Sequence, residues 1–344
     1  MKKYISVVIF LLLFFNSCSL IFNTLHHDDD TDDDNIEYPS MVITDSEVDF
    51  VKSMLAKGKS AFDPYAPIAG TGKAHVLILM YHQISKNAPA SSYQRSESQF
   101  LADMQYLKDQ NIVVIGFDDL KKIQSGQILP PGERMAIISF DDGWLSQYDS
   151  AYPILKNFGY KASFSIVTSY VGKKENYMTW NQLKEMASYR RPSDNSHLFS
   201  IASHTVHHTR LDTYADWESV EDKDAALKKY LNLLKQELLK SATEIFLRIP
   251  ESRSIESPLV LTLPEGAGSG RIEIGAMAIL QGYHMIRTSN YREYTDIDIE
   301  NIGYYGAFNA YSKWFCRYKL PSFAIHDFTS IEESLVKYFD TLDR

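Results

Sequence analysis

From residue 75 onward, short apolar runs alternate with longer stretches in which apolar residues recur every three or four positions. The runs Val76–Met80, Ile112–Ile115, Ala136–Phe140, Ala162–Val167, Phe199–Ala202, Val260–Leu263 and His284–Thr288 have the length of strands. Between them, Phe100–Leu107, Phe117–Ile123, Tyr152–Phe158, Thr179–Ala187, Asp224–Ala242 and Ile272–Leu280 carry the helical period, with Thr179 placed to cap its helix. Strand and helix taken in turn build a parallel sheet with helices outside. The pattern predicts an α/β fold, an irregular or open (β/α) barrel of about seven strands. Reactive groups in such a fold belong just beyond the carboxyl ends of the strands.

Those ends are where polar residues break the pattern. The run through Ile138 continues as Ser139-Phe140-Asp141-Asp142-Gly143, and Phe199–Ala202 leads into Ser203-His204-Thr205-Val206-His207-His208. Two neutral imidazoles and one carboxylate leave a divalent cation such as Zn²⁺ with residual positive charge and open positions. His204 and His208 stand four apart, so a helical or turn-like segment points both to one side, whereas His207 falls off that face. Asp142, His204 and His208 are therefore the candidate ligands, leaving Asp141 to take a proton from a bound water. His82 lies just past the strand that includes Met80, and the loop after Leu263 reaches the same rim. On the residues alone, His82 reads only as a partly buried polar side chain. Asp118-Asp119 also follow a strand, but Leu120 and a helix come next, so that pair is expected to cap the helix.

The first 72 residues have a different texture. Lys2 and Lys3 precede an apolar stretch, Tyr4 to Phe15, too short to span a bilayer, so residues 1–17 are expected to be a secretory signal peptide. Ser17 before Cys18 resembles a bacterial lipobox. Cys18 is then the lipidated first residue of an exported lipoprotein, anchored by its lipid to a membrane of the bacterial cell envelope. Cys316 would have no partner, and stability would come from the core without a disulfide framework. Asp28 to Asp34, with only Thr31 interrupting, repel one another, so residues 18–72 are expected to be an acidic tether and linker, with a short helix within Glu47 to Lys59. Residues 73–344 form the expected domain. With a formal charge of −9, nothing points to nucleic-acid binding, which needs a basic face. An apolar content of 44% supplies a large core.

At the strand-end motifs the chain resembles the polysaccharide deacetylases, the carbohydrate esterase group that shares the NodB homology domain. The family's first motif, Thr/Ser-Phe-Asp-Asp-Gly, corresponds to Ser139–Gly143, and its second, His-Ser/Thr-x-x-His, to His204–His208. Met178–Leu183 and Gln281-Gly282-Tyr283 extend the likeness, which covers about residues 75–335. Met80-Tyr81-His82-Gln83-Ile84 is similar to the branch that includes the poly-N-acetylglucosamine deacetylases. The resemblance implies a NodB-like barrel and a metal-dependent hydrolase that removes N-acetyl groups from an amino-sugar polysaccharide. It implies Asp141 as general base, Asp142, His204 and His208 as ligands of a divalent metal, zinc foremost, and His82 as the acid protonating the leaving amine.

The third family motif, Arg-x-Pro-Tyr, has two counterparts. Arg248-Ile249-Pro250-Glu251 keeps the arginine, while Leu263-Pro264-Glu265-Gly266 has better spacing to Gly282-Tyr283 and is the preferred match. That choice assigns the oxyanion to the backbone N–H of Glu265 and puts Thr262 where an arginine would steady the base. Ile325-His326-Asp327 is similar to a late motif that supplies the acid in other branches, so His326 competes with the preferred His82. Two other readings stay open. One is a carbohydrate-binding surface lipoprotein with weak or no turnover, and the other is an O-acetyl esterase acting on a polysaccharide.

Overall fold

A strand whose residues are all buried needs neighbours on both edges and cover on both faces. Strand β1 (His75–Tyr81) is one, and β5 (Arg134–Phe140) runs parallel to it along its full length. The computed structural model describes residues 36–68, 70, 73–213, 215–253, 259–289, 307–311 and 317–342. The other strands in chain order are β2 (Gln83–Ser85), β3 (Gln94–Ser96), β4 (Val113–Val114), β6 (Ala162–Ile166), β7 (Phe199–Ser203) and β8 (Val260–Thr262). They are followed by β9 (Met285–Thr288), β10 (Ala307–Asn309), β11 (Leu320–Pro321) and β12 (Phe323–Ala324). The main sheet has the order β10-β1-β5-β6-β7-β8-β9-β11, with β10 antiparallel on β1 and the other strands along that path parallel.

Closure depends on five residues. β11 pairs with β9, and β12, immediately after Ser322, pairs with the outer half of β1. Residues 320–324 thus link the two ends of the sheet into a nearly closed barrel. Rings line up across adjacent strands beneath the rim: Tyr81 on Phe140 at 5.5 Å and Phe140 on Phe164 at 4.9 Å, with Phe100 against both Tyr81 and Phe140. Such pairs add about 0.5–1.5 kcal/mol each beyond burial, and here they hold β1, β5 and β6 together directly below the reactive loops.

The helices are α1 (Asp45–Lys57), α2 (Glu97–Asp109), α3 (Phe117–Gln124), α4 (Tyr152–Phe158), α5 (Trp180–Ser188), α6 (Lys223–Arg248), α7 (Ile272–Leu280) and α8 (Ile331–Leu342). Thr179 caps α5 as expected, in a reciprocal box with Gln182. Asp119 accepts from the Gly116 N–H at 2.9 Å, so the Asp118-Asp119 pair does serve the start of α3.

The stretch expected as linker contains a docked helix. Thr44 and Glu47 cap α1, whose Val48, Val51 and Met54 join an apolar cluster with Leu227, Tyr230, Leu231, Leu234 and Leu238 of α6. Lys235 of α6 is buried and donates to Glu47 and to the Val42 carbonyl, each at 2.9 Å. The packed body therefore begins near Met41 rather than at residue 73. Three apolar residues at spacing three on one helix face are sufficient to seat α1 once α6 supplies a partner face. Cys18, Cys316 and the acidic run lie outside the described residues, and no helix among those described is long and apolar enough to cross a membrane.

Candidate metal centre and active site

The ends of β1, β5, β7, β8 and β9 converge. Asp142 Oδ1 lies 3.5 Å from Nε2 of His204 and 3.5 Å from Nε2 of His208. Ligand atoms of the three residues all fall within 4.8 Å of one another. Around a tetrahedral Zn²⁺ with bonds of about 2.1 Å, donor atoms stand about 3.4 Å apart. Two of the three spacings match that value and the third falls within 4.8 Å, so the donor set suits a divalent cation. His204 Nδ1 donates to the Thr262 carbonyl at 2.9 Å, which leaves Nε2 as the free lone pair turned toward Asp142.

Local backbone strain aims these groups. Among the described residues, non-glycine positive φ occurs at Asn111, Asn176 and Asn195, and at Asp142 (74°), Thr205 (66°), His208 (60°) and Glu265 (56°). Asparagine tolerates that region easily, and the other four all belong to the motif loops. A β-branched threonine there is costly, so its surroundings must hold it. Thr205 N–H donates to Ser203 Oγ, and Thr205 Oγ1 accepts from the His208 N–H at 3.1 Å. Glu237 of α6, buried, accepts from the Val206 and His207 N–H groups at 3.0 Å and from His207 Nδ1 at 2.8 Å. His207 thus points away from the centre as its spacing predicts, and it helps Glu237 brace the loop that carries both ligands.

Around Asp142 the electrostatics are strongly biased. Burial works to raise its carboxyl, but His204, His82 and a Trp144 N–H donated to Oδ2 at 2.8 Å hold it well below the ordinary carboxylate range. Burial works to lower His204, yet the hydrogen bond to Asp142 and both aspartate charges raise it. Burial, and then the neighbouring His204, lower His208. Asp141, 3% exposed, pairs with Arg287, which is completely buried. Arg287 also donates to Ser322 Oγ at 2.7 Å and to Thr262 Oγ1 at 3.4 Å.

Arg287 is the functional residue that motif reasoning missed. The third motif does carry Thr262 where an arginine was expected, and the cation comes instead from the next strand, β9. The other candidate arginine, Arg248, lies with its guanidinium 5.0 Å from the Trp180 ring centroid, at the end of α6. The available signal was one arginine in the otherwise uncharged Met285–Thr288 run. Glu265 follows β8 at the rim, and its carboxylate pairs with Arg210 at 2.9 Å, both side chains being about half exposed.

The two candidate acids separate clearly. Burial lowers His82, while the charges of Asp141 and Asp142 raise it, so its ring lies within their field. His326 sits beyond Tyr93, whose ring is 5.2 Å from His82 and 5.6 Å from His326, and its Nδ1 lies 3.1 Å from the Ser92 carbonyl. One side chain ties the His82 and Asp141 positions together: Gln147 Nε2 donates to the His82 carbonyl at 2.9 Å and to the Asp141 carbonyl at 2.6 Å.

Residues 128–252 match the family model described as Polysaccharide deacetylase. It is 31% identical over 183 residues to YxkH of Bacillus subtilis (strain 168), a protein assigned to the polysaccharide deacetylases; the match covers 52% of this chain and 60% of that one. It is 25% identical over 131 residues to the poly-beta-1,6-N-acetyl-D-glucosamine N-deacetylase of Staphylococcus epidermidis, covering 33% of this chain and 45% of the relative. The matched regions are thus less than two thirds of these relatives' lengths. In fold, the chain is similar to the Streptococcus pyogenes deacetylase PplD (TM-score 0.57, 19% identity, 78% of this chain and 99% of that one). It is also similar to a de-N-acetylase from Aggregatibacter actinomycetemcomitans (TM-score 0.56, 19% identity, 76% of this chain and 99% of that one). The expected barrel is borne out, and the model that matches is that of the family the motifs resemble.

Proposed function

We propose that this protein is a divalent-metal-dependent N-deacetylase of an acetylated amino-sugar polysaccharide. One observation carries the reading: three metal-ligating side chains with donor atoms within 4.8 Å of one another stand next to a buried carboxylate paired with an arginine. Asp142, His204 and His208 would hold the metal, and two imidazoles with one carboxylate suit zinc. When bound, the cation supplies polarisation of the acetyl carbonyl and acidification of water.

The chain's own groups do the rest. Asp141, held in place by Arg287, takes one proton from the attacking water as its oxygen bonds to the acetyl carbon. The Glu265 N–H receives the developing oxyanion, and the Arg210 pairing draws the Glu265 carboxylate outward. His82 gives a proton to the nitrogen as the C–N bond breaks, releasing acetate and a free amine. Burial, which lowers His82, makes its imidazolium a stronger donor. Around this catalytic body, the lysine-flanked apolar leader and Cys18 support export and a lipid anchor in the cell envelope.

Purified protein is expected to release acetate from N-acetylglucosamine oligomers, and chelation or Asp142→Ala is expected to cut the rate a thousandfold or more, on the order of the several kcal/mol a metal supplies. Turnover that survives both treatments rules the mechanism out. Faster release from O-acetylated xylan than from the glucosamine oligomers would move the assignment to the esterase reading.

A further inference from the structure

Beyond the ligand cluster, exposed aromatic rings gather on one side of the rim. Tyr93 is 57% exposed and Phe328 77% exposed. The His82 ring meets Tyr93 edge-on, Tyr93 meets His326 edge-on, and His326 stacks on Phe328 with centroids 5.2 Å apart and planes 14° from parallel. The four rings form one ridge running from the proton-donating position out into solvent.

The turn under this ridge is held firmly. Arg95, 5% exposed, grips Asp103 through Nε at 3.0 Å and Nη2 at 2.6 Å. Its Nη1 donates to the carbonyls of His326 (2.9 Å), Asp327 (3.3 Å) and Thr329 (2.9 Å). Gln99 Nε2 donates to the Asp327 carbonyl at 2.8 Å, and the Asp327 N–H donates to the Ser92 carbonyl at 3.3 Å. An exposed phenylalanine on a loose loop needs no explanation. One held over water by a buried ion pair is pre-organised, which removes much of the entropic cost of ordering a contact on binding.

We propose that Tyr93, His326 and Phe328 form a stacking platform for a pyranose ring of the polymer, adjacent to the unit that loses its acetyl group. The inference rests on the deacetylase reading and deepens it by locating where a neighbouring sugar sits. A pyranose presents an apolar C–H face rimmed by hydroxyls, and an aromatic surface with polar edges complements it. His326 thereby acts as a wall of the groove, and His82 alone handles the proton.

The test uses full-length, zinc-loaded protein with a β-1,6-linked N-acetylglucosamine pentamer and with the monosaccharide. Phe328→Ala is expected to raise KM for the pentamer roughly tenfold, the size of one lost aromatic contact, with the loss in KM rather than kcat. Phe328→Trp restores the affinity and Phe328→Leu does not, because a ring is required. The same order should appear in calorimetric binding of the pentamer to Asp141→Asn protein. Equal pentamer affinity in Phe328→Ala and wild type, or full affinity in Phe328→Leu, overturns the platform while acetate release still supports the enzyme. Pentamer binding that depends on Phe328 without any acetate release from wild type sinks the catalytic reading and keeps the platform.

Discussion

Two Asp-Asp pairs follow strands in this chain, and the fold gives them opposite fates. Asp118 and Asp119 enter α3 directly, where Asp119 caps the helix and Lys161 bridges both carboxylates at 2.8 Å. Burial works to lower Lys161, but the two aspartates raise it, so the pair and its lysine form a closed, satisfied unit. Asp141 and Asp142 enter no helix. Asp142 and Gly143 adopt positive φ, 74° and 86°, which turns the chain back and presents the two carboxylates to different partners. Asp141 goes to Arg287, and Asp142 goes to two imidazoles and an indole. The same dipeptide closes on itself when one cation satisfies both members, and builds the candidate site when its members are divided between partners.

That contrast can be broken most forcefully at Arg287. Replacing it with Met leaves Asp141 buried without its cation, at a cost of about 3–5 kcal/mol in stability, read by urea unfolding. The same change frees the Asp141 side chain from its arginine partner, so acetate release is expected to fall with it, read by kcat. Turnover that survives Arg287→Met would show that the pairing does not serve the site. A smaller effect is expected from Trp144→Phe, which keeps the ring stacked on Tyr177 at 4.3 Å but removes the donor to Asp142 Oδ2. Outer-shell partners of this kind are worth about 10–100-fold in metal affinity; the Co²⁺ absorption spectrum and zinc competition titration read it directly. Smallest is Asp119→Ala, which removes a cap worth about 1 kcal/mol. It lowers the melting temperature by about 2–4 °C and leaves acetate release intact. A large loss of turnover there would erase the distinction between the two pairs.

Much of the fold was legible because its strands are buried on both faces and read as unbroken apolar runs, β1 and β5 above all. The ligand set was legible because its members lie in two short motifs after such runs. What escaped shares one physical reason, namely long-range partnership. Arg287 finds Asp141 146 positions away, and nothing in Met285–Thr288 announces that. Glu237 sits in a long helix whose charged residues look solvated, yet its carboxylate is spent on the backbone of the histidine loop. The helix at Asp45–Lys57 has one apolar face, but beside an acidic run it read as part of a linker until α6 supplied a surface. The left-handed residues Thr205 and His208 carry no side-chain signature at all.

The amide of Gln147, wholly buried, clips the carbonyls of His82 and Asp141 to a single nitrogen and so sets the backbone spacing of those two positions from the interior. Surface loops around the rim can therefore be lengthened, shortened or exchanged while that spacing stays as it is.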